Sequence, residues 1–328
     1  MHTFEASSGL VPLAASLLAG QRIAILLPCY NEALTVATII DDFNKYLPQA
    51  EVYVFDNNSS DNTASLARAA GAIVRAVPLQ GKGEVIRRMF ADVEADIYIM
   101  VDGDDTYDAS VAPQLAARLV EEGLDMLVGT RVTDEQAAYR FGHRFGNQML
   151  TGCVAALFGH TFTDMLSGYR VFSRRYVKSF PAHSAGFETE TELTVHALEL
   201  RMPVAEVATR YKSRPEGSLS KLDTYRDGWR ILRMIVRLFK AERPLLFFSI
   251  GAVACMLLAL LLAVPLVQTY LTTGLVPRQP TAILCTALAL FGTILLSCGL
   301  VLDTVTKGRI EQKRLAYLTV AAPSARRG

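Results

Sequence analysis

The most concentrated chemistry in the chain is in VDGDDTYD, residues 101–108. This stretch holds Asp102, Asp104, Asp105 and Asp108, and it follows the apolar run 97–101 directly. Like charges this close together repel each other unless a cation or a set of hydrogen-bond donors offsets them. The cluster therefore predicts a positively charged or hydrogen-bonding partner at the end of a buried strand.

Four more polar loops follow predicted strands in the same half of the chain. They are PCYNE at 28–32, DNNSSD at 56–61, GKG at 81–83 and GTR at 129–131. One such loop is ordinary turn chemistry, but ligands of open parallel sheets bind at the carboxyl ends of the strands, so five favour one crevice. Carboxylates suit a divalent cation, Lys82 and Arg131 suit phosphate oxygens, and glycines allow close backbone approach. This mixture indicates a metal-bound nucleotide diphosphate.

The elements that would carry these loops alternate between strand and helix patterns from Arg22 onward. Strands are predicted at 23–27, 51–55, 72–77, 97–101 and 126–128, and helices at 33–46, 64–70, 84–93 and 111–122. Such alternation is typical of a parallel sheet with helices on both faces. No GxGxxG turn follows the first strand and no GxxxxGK[ST] loop occurs, which argues against the common dinucleotide-binding and P-loop folds.

Two long apolar runs follow this half of the chain. Residues 244–267 and 281–302 contain no charged residue, and either run can cross a hydrocarbon core of about 30 Å. Basic residues flank the outer ends of both runs, whereas the connecting loop 268–279 has Arg278 as its single charge. The pattern predicts a membrane hairpin with both chain ends in the cytoplasm.

Residues 218–243 predict a basic amphipathic helix just before the first run. Its cations step by four, three, four and three along one face, at Arg226, Arg230, Arg233, Arg237 and Lys240. Apolar and aromatic residues follow one position behind, at Tyr225, Trp229, Leu232, Val236 and Phe239. A helix of this kind is expected to lie against anionic lipid headgroups.

The composition excludes several other classes of protein. A formal net charge of +1 gives no indication of nucleic-acid binding. The five cysteines have no CxxC spacing, so neither a zinc site nor a disulfide framework is predicted, and the expected compartment is reducing. The apolar run 9–20 follows Glu5 with no Lys or Arg before it, and it is not predicted to be a cleaved signal.

Residues 22–240 resemble the glycosyltransferase family 2 proteins with a GT-A fold. The resemblance is carried, in order, by PCYNE, by 56–63, by GKG and by the DGD of 102–104. A closer resemblance is to the polyprenyl-phosphate glycosyltransferases, a group that includes dolichol-phosphate mannose synthase. It is carried by DMLSGYR at 164–170 and by RPEGS at 214–218 with Ser220-Lys221.

The resemblance implies an inverting enzyme that moves a sugar from a nucleotide diphosphate to an undecaprenyl-type polyprenyl phosphate. A UDP-sugar is the preferred donor, and GDP-mannose is the alternative. The implied donor-binding residues are Pro28, Tyr30, Glu32, Asp56, Lys82 and Asp102. The implied cation is Mg²⁺ or Mn²⁺, with Asp104 as ligand and Asp102 beside it.

The resemblance also implies an acceptor side. Arg131 is expected to face either the donor diphosphate or the acceptor phosphate, and the other residues expected on this side are Ser167, Arg170, Arg214 and Lys221. Asp164 is expected either to act as a base or to orient the acceptor and its arginines, and Glu190 or Glu192 to face the sugar. Asn57 stands where the family often has a second aspartate, and Asp105-Thr106-Tyr107 replaces a Leu-Gln-like continuation. Asp108 is expected to cap a helix that begins near Ser110.

The predicted architecture is an α/β GT-A fold, with a mostly parallel sheet, followed by an interfacial helix and two transmembrane helices. The predicted segments are an N-terminal segment 1–21, a catalytic domain 22–217, the interfacial helix 218–243, the hairpin 244–304 and a basic tail 305–328. The expected location is the inner membrane of a cell. Self-association is expected through small residues such as Gly251 and Ala252.

Three other functions are compatible with parts of the sequence. DGDDT fits the DxDx[TV] loop of haloacid-dehalogenase-like phosphotransferases, although that fold places the loop after its first strand. A processive polysaccharide synthase would need a QxxRW segment, which does not occur, and more spans. An inactive membrane-tethered scaffold would bind metal and nucleotide without turnover.

Overall fold

A computed structural model describes residues 16–132, 151–152, 154–155, 162–182, 189–212 and 224–323, with the backbone alone for 224–232. The strands are β1 (Ile23–Cys29), β2 (Glu51–Asp56), β3 (Ile73–Ala76), β4 (Ile97–Met100), β5 (Met126–Val132), β6 (Arg170–Ser173) and β7 (Val204–Arg210). The helices are α1 (Val36–Tyr46), α2 (Thr63–Ala69), α3 (Lys82–Asp92), α4 (Ala112–Glu121), α5 (Arg174–Ser179), α6 (Thr189–Glu199), α7 (Thr224–Glu242), α8 (Pro244–Thr273) and α9 (Gln279–Leu318).

Within the described residues, the strands form one sheet in the order β3-β2-β1-β4-β6-β5-β7. Strand β6 runs antiparallel to β4 and β5, and the other neighbouring strands are parallel. The predicted mostly parallel α/β sheet is therefore confirmed. The sequence pattern does not predict β6, because this four-residue strand begins inside the DMLSGYR motif and has no alternation of its own.

Strand β1 lies in the middle of the sheet and is covered on both faces. Ile25, Leu26 and Leu27 have no exposed surface, and two-sided burial explains why this strand is continuously apolar. Helix α1 covers one face with a stripe at helical spacing, formed by Val36, Ile39, Ile40 and Phe43. Strand β3 at the sheet edge is mostly exposed.

Strand β5 is longer than the sequence predicts. The prediction ended at Val128, but β5 pairs with β7 in register from Met126↔Val204 to Val132↔Arg210. Arg131 therefore lies within a strand, opposite Thr209. Its backbone position is fixed by strand pairing instead of by a loop.

The chain divides into two compact units. The first contains residues Met1–Trp229 and Lys313–Gly328, and the second contains Arg230–Gln312. Helix α9 continues through Leu318, so the first part of the predicted basic tail is helical. Its last turns belong to the first unit. The predicted domain border at 217 lies outside the described residues.

The second unit contains most of α8 and α9, both long and apolar enough to cross a membrane. Their apolar windows have mean hydropathies of 2.8 and 2.2. Both helices extend beyond the predicted spans, and Leu261 in α8 is 69% exposed. Among the described residues, these are the two candidate spans.

Small residues bring α8 and α9 together. A Cβ atom at Gly292 would lie 3.2 Å from the carbonyl oxygen of Ala252, and one at Gly251 would lie 3.2 Å from Leu295. Ala252 is buried, with 5% of its surface exposed. The small residues predicted to mediate self-association thus pack within the hairpin itself.

Candidate active site

The loop after β4 crosses the end of β1 at Gly103. A Cβ atom there would lie 2.6 Å from the sulfur of Cys29 and 3.3 Å from the carbonyl oxygen of Pro28. A side chain at this position would displace the Cys29 sulfur and press against the backbone of β1, which accounts for the glycine between the two DGD aspartates. The hydroxyl of Thr35 donates to the Gly103 carbonyl over 2.6 Å. This close packing fixes the DGD loop beside the end of β1.

The four aspartates of residues 101–108 occupy different environments. Asp104 is buried, and its Oδ1 accepts a hydrogen bond of 2.6 Å from the hydroxyl of Thr106. Asp105 has a φ of 55° and forms the left-handed turn of the loop. Asp108 Oδ1 accepts from the backbone N–H of Ser110 over 2.9 Å, which confirms the predicted capping role for the 3₁₀ turn before α4.

Asn57 links the end of β2 to the loop before α3 through hydrogen bonds. Its amide nitrogen donates to the carbonyls of Val77 (3.1 Å) and Leu79 (2.7 Å), and its Oδ1 accepts from the N–H of Gly81 (2.8 Å). A carboxylate could not donate these bonds, so the loop conformation accounts for asparagine at this position. The loop delivers Lys82 as the first residue of α3.

Lys82 lies between two carboxylates from distant parts of the chain. Its Nζ is 2.6 Å from Asp102 Oδ1 and 2.5 Å from Glu190 Oε1. Burial disfavours the ammonium form, but the two carboxylates outweigh it and raise the pKa of Lys82 above its ordinary value. Glu190 Oε2 is buried and has no hydrogen-bond partner among the described residues. Glu190 thus reaches the crevice, and Glu192 lies further along α6.

The DMLSGYR motif reaches the same place through Gly168. A Cβ atom at Gly168 would lie 2.1 Å from Asp102 Oδ2, so a larger residue here would displace the Asp102 carboxylate from its present position. The Gly168 N–H donates to the hydroxyl of Tyr107 over 2.8 Å. Tyr107 packs edge-on between the rings of Tyr169 and Tyr211. Sequence reasoning missed both Tyr107 and Tyr211, although Tyr107 lies within the aspartate-rich stretch.

Arg131 and Asp164 form a bidentate ion pair. The Arg131 Nε and Nη2 lie 2.7 and 2.8 Å from Asp164 Oδ2 and Oδ1. The guanidinium also lies over the ring of Tyr211, 5.6 Å from its centroid. Burial acts to raise the pKa of Asp164, but Arg131 outweighs it and lowers this pKa below its ordinary value. A carboxylate held in this way is a poor proton acceptor, so the geometry favours the orienting role over the base.

Four of the residues implied to bind the donor lie at or near the ends of β1 and β2, and they are Pro28, Tyr30, Glu32 and Asp56. Tyr30 follows β1 and is 37% exposed, and Glu32 lies in the turn before α1. Asp56, the last residue of β2, pairs in register with Cys29, next to Pro28. Asp56 Oδ1 is buried and has no hydrogen-bond partner within the described part of the chain.

Two residues predicted at the acceptor phosphate are buried inside the protein instead. Arg170 has no exposed surface, and its guanidinium donates to the carbonyls of Ser167 and Met165 and to the hydroxyl of Thr194. Ser167 is equally buried, and its hydroxyl donates to the carbonyl of Gly129. Because β6 lies between β4 and β5, these groups hold the motif in place, and a contact with the acceptor does not fit. Arg214 and Lys221 lie outside the described residues.

The carboxylates fit a cation that is shared with a ligand. The described residues contain no group of three or more Asp, Glu, His or Cys side chains that could hold a metal ion. In the described part of the chain, Asp102 and Asp104 therefore have no third Asp, Glu, His or Cys with which to enclose a metal ion. Mg²⁺ is typically held by one or two carboxylates together with substrate phosphates and water. The pair suits such a cation better than a cation held entirely by the protein.

Comparison with known proteins gives the family of this chain. The sequence model of glycosyl transferase family 2 matches residues 24–180. The chain is 34% identical to glycosyltransferase AglJ from Haloferax volcanii over 299 residues, which are 90% of this chain and 98% of that protein. This chain belongs to glycosyltransferase family 2. It is therefore a glycosyltransferase.

Two further similarities bear on this family 2 enzyme. It is 26% identical to the dolichyl-phosphate hexose transferase of Haloferax volcanii, over 67% of this chain and 95% of that one. It also superimposes on the crystal structure of glucosyl-3-phosphoglycerate synthase from Mycobacterium tuberculosis with Mg²⁺ and UDP, with a TM-score of 0.59 and 24% identity over 73% of this chain and 85% of that one. The structural likeness confirms the GT-A fold.

Proposed function

We propose that this glycosyltransferase moves a sugar from a nucleotide diphosphate to an undecaprenyl-type polyprenyl phosphate, with inversion at the anomeric carbon. The observation that carries the proposal is the set of charged groups along the carboxyl edge of the sheet. Lys82 with Asp102 lies on one side of the crevice, and Arg131 with Asp164 lies on the other. The crevice can therefore meet two phosphate-bearing substrates.

The donor side fits a nucleotide. The buried Oδ1 of Asp56 would be satisfied by an N–H group of a base, and the half-exposed ring of Tyr30 offers a surface for stacking. Lys82, at the start of α3, would contact the diphosphate. A UDP-sugar is our preferred donor on the resemblance, and a solved neighbour holds UDP.

A Mg²⁺ or Mn²⁺ ion bound by Asp104 with Asp102 would neutralise charge on the leaving diphosphate. Asp104 is buried and braced by Thr106, so its carboxylate is held in one orientation. A preoriented carboxylate needs little rearrangement during the reaction, which is the condition under which electrostatic stabilisation is most effective.

The acceptor side fits a phosphate monoester. An anionic phosphate oxygen would attack the anomeric carbon as the bond from that carbon to the nucleoside diphosphate breaks. The attacking oxygen is already deprotonated, so no strong base is needed. Asp164 is therefore not needed as a base, which agrees with its ion pair with Arg131. This ion pair would orient Arg131 to bind the acceptor phosphate.

The apolar helices support a lipid substrate. Helices α8 and α9 are candidate membrane spans, and Arg233, Arg237 and Lys240 are exposed on α7, where they would meet anionic headgroups. The flanking charges favour a cytoplasmic location for both chain ends, at the inner membrane. A dolichyl-phosphate hexose transferase among the relatives agrees with a polyprenyl-phosphate acceptor.

The alternative functions have less support. The DGD loop follows β4, whereas a haloacid-dehalogenase-like nucleophile loop would follow the first strand. Two candidate spans in the described chain are few for the channel of a processive synthase. An inactive scaffold would bind metal and nucleotide as the proposed enzyme does, so only a measurement of turnover distinguishes the two.

The test is direct. The purified full-length protein would be incubated with Mg²⁺ or Mn²⁺, undecaprenyl phosphate and a panel of UDP- and GDP-sugars, and the lipid analysed by mass spectrometry. We expect one donor to add a single sugar, with an inverted anomeric centre by NMR. No glycosylated lipid with any donor would refute the proposal, and nucleotide binding without product would identify the scaffold.

A matched pair of arginine variants tests the acceptor assignment. Arg131→Ala should abolish transfer to the lipid while leaving UDP binding largely intact, because Arg131 lies on the acceptor side. Arg118→Ala removes the same charge from α4, where Arg118 pairs with Glu122 at the surface, and should leave both unchanged. Equal activity of the two variants would remove Arg131 from the site.

A further inference from the structure

The ammonium group of Lys82 contacts Asp102, one of the two carboxylates that would bind the cation in the proposed function. Its Nζ lies 2.6 Å from Asp102 Oδ1, and the side chain of Lys82 is only 12% exposed. The other oxygen of Asp102 faces Gly168, where a Cβ atom would lie 2.1 Å from it, and the Asp102 side chain is 29% exposed. A divalent cation that approaches Asp102 therefore meets a positive charge already in contact with the carboxylate.

Glu190 offers Lys82 a second partner. Its Oε1 lies 2.5 Å from the Lys82 Nζ, and Glu190 is buried, with 5% of its surface exposed. Glu190 comes from α6 and Asp102 from the loop after β4, so the ammonium group joins two separate elements. A Lys82 that lost its contact with Asp102 would therefore still have Glu190 as a partner. This second partner matters because a buried charge left without any partner is strongly destabilising.

We propose that Lys82 is the counter-ion of Asp102 in the donor-free enzyme, and that the cation and the donor diphosphate displace it together. Glu190 is a positioning residue that keeps the ammonium group within reach of both. The inference rests on the proposed function, because it takes the donor to be a nucleotide diphosphate bound with a cation. The displacement of Lys82 makes the cation and the nucleotide bind cooperatively. The diphosphate draws Lys82 away from Asp102, and the Asp102 carboxylate then becomes available to the cation.

The proposal predicts a reversal of sign for one substitution. Mn²⁺ binding to the full-length protein would be measured by electron paramagnetic resonance, without nucleotide and with saturating UDP or GDP. Without nucleotide, Lys82→Met should bind Mn²⁺ about tenfold more tightly than the wild type, because a competing charge has been removed. With nucleotide the order should reverse, and Lys82→Met should bind about tenfold more weakly, because the contact with the diphosphate is lost.

Two more variants make the measurement specific. Lys45→Met removes the same charge from the exposed end of α1 and should change Mn²⁺ binding in neither condition. Glu190→Gln leaves Lys82 with Asp102 as its remaining partner in this cluster, so Mn²⁺ should bind more weakly than to the wild type without nucleotide. If Lys82→Met folds poorly, Lys82→Gln replaces it, and Mn²⁺ should raise its thermal unfolding midpoint more than that of the wild type.

The outcomes separate this inference from the proposed function. Lys82→Met with unchanged or weaker Mn²⁺ binding in the absence of nucleotide would overturn the exchange, even if the wild type glycosylates lipid. A reversal of sign would support the exchange even if polyprenyl phosphate proved to be the wrong acceptor. Failure of the lipid assay therefore leaves the Mn²⁺ result to be judged separately.

Discussion

Buried carboxylates at the two edges of the sheet in the first unit differ in how fully their oxygens are hydrogen-bonded. At the crevice edge, Asp56 and Glu190 each have a buried carboxylate oxygen without a partner among the described residues. At the opposite edge, both oxygens of Asp125 accept hydrogen bonds, from the guanidinium of Arg175 and the hydroxyls of Ser173 and Tyr317. Buried polar groups are normally satisfied. Asp125 is therefore a structural carboxylate, whereas the open oxygens of Asp56 and Glu190 lie beside the predicted donor site.

The cluster around Asp125 includes the end of α9. Lys313 lies 2.5 Å from Glu199 at the end of α6, and the ring of Tyr317 lies under the guanidinium of Arg175, 4.7 Å from the centroid. These contacts explain why the chain from Lys313 onward groups with the first unit. The chain thus enters this unit a second time after the apolar helices.

The largest expected effect is on stability, from Asp125→Ala. Asp125 has no exposed surface, and its removal leaves the Arg175 guanidinium without its buried partner, at a cost of about 3–5 kcal/mol. The measurement is chemical or thermal unfolding followed by circular dichroism. Glu94→Ala is the control, since Glu94 is 50% exposed where it pairs with Arg174, and it should cost less than about 1 kcal/mol. Similar losses for both variants would contradict the structural role of the cluster.

The next effect is on catalysis, from Asp104→Asn. The amide oxygen can still accept from Thr106, so the unfolding midpoint should change little. The rate of transfer should fall on the order of a hundredfold or more, because Asp104 would hold the cation that neutralises the leaving diphosphate. The measurement is kcat/KM for formation of the glycosylated lipid. A normal rate, or a large loss of stability, would erase the proposed contrast between the two edges.

The sequence predicted the crevice better than it predicted the opposite edge. Polar loops at strand ends follow from local patterns, and Asp108 was recognisable as a cap from its spacing to Ser110. Arg170 was misplaced because its burial depends on β6, a short antiparallel strand whose partners are far away in the chain. Tyr317 was missed for a similar reason, since nothing in a basic tail indicates that its helix ends against Asp125.

The third effect is a pH dependence of stability from His196. His196 is 1% exposed and lies 3.0 Å from the hydroxyl of Ser179. Burial, together with nearby Lys313, lowers the pKa of His196 to about 3, whereas the unfolded chain titrates near the ordinary value of 6.5. Between these values the unfolded state binds a proton that the folded state does not. Stability should therefore fall with pH below 6.5, by about 1.4 kcal/mol per pH unit.

The measurement for His196 is the unfolding free energy between pH 7 and pH 5. His196 packs near Lys313 and Glu199 and against the ring of Tyr176, so these groups stay unchanged in the comparison. His196→Gln should have a shallower pH dependence than the wild type. The same slope in both proteins would show that other groups cause the loss.

The smallest effect tests whether the end of α9 belongs to the cluster. Burial and the hydrogen bond to Asp125 raise the pKa of Tyr317 to about 12, so its hydroxyl is a donor at neutral pH. Tyr317→Phe keeps the ring over Arg175 and removes the 2.8 Å bond to Asp125, at a cost of about 1 kcal/mol. Tyr46→Phe, on the surface of α1, should have no effect. If Tyr317→Phe is also neutral while Asp125→Ala is not, Arg175 and Ser173 satisfy the carboxylate, and the hydroxyl of Tyr317 does not stabilise this edge.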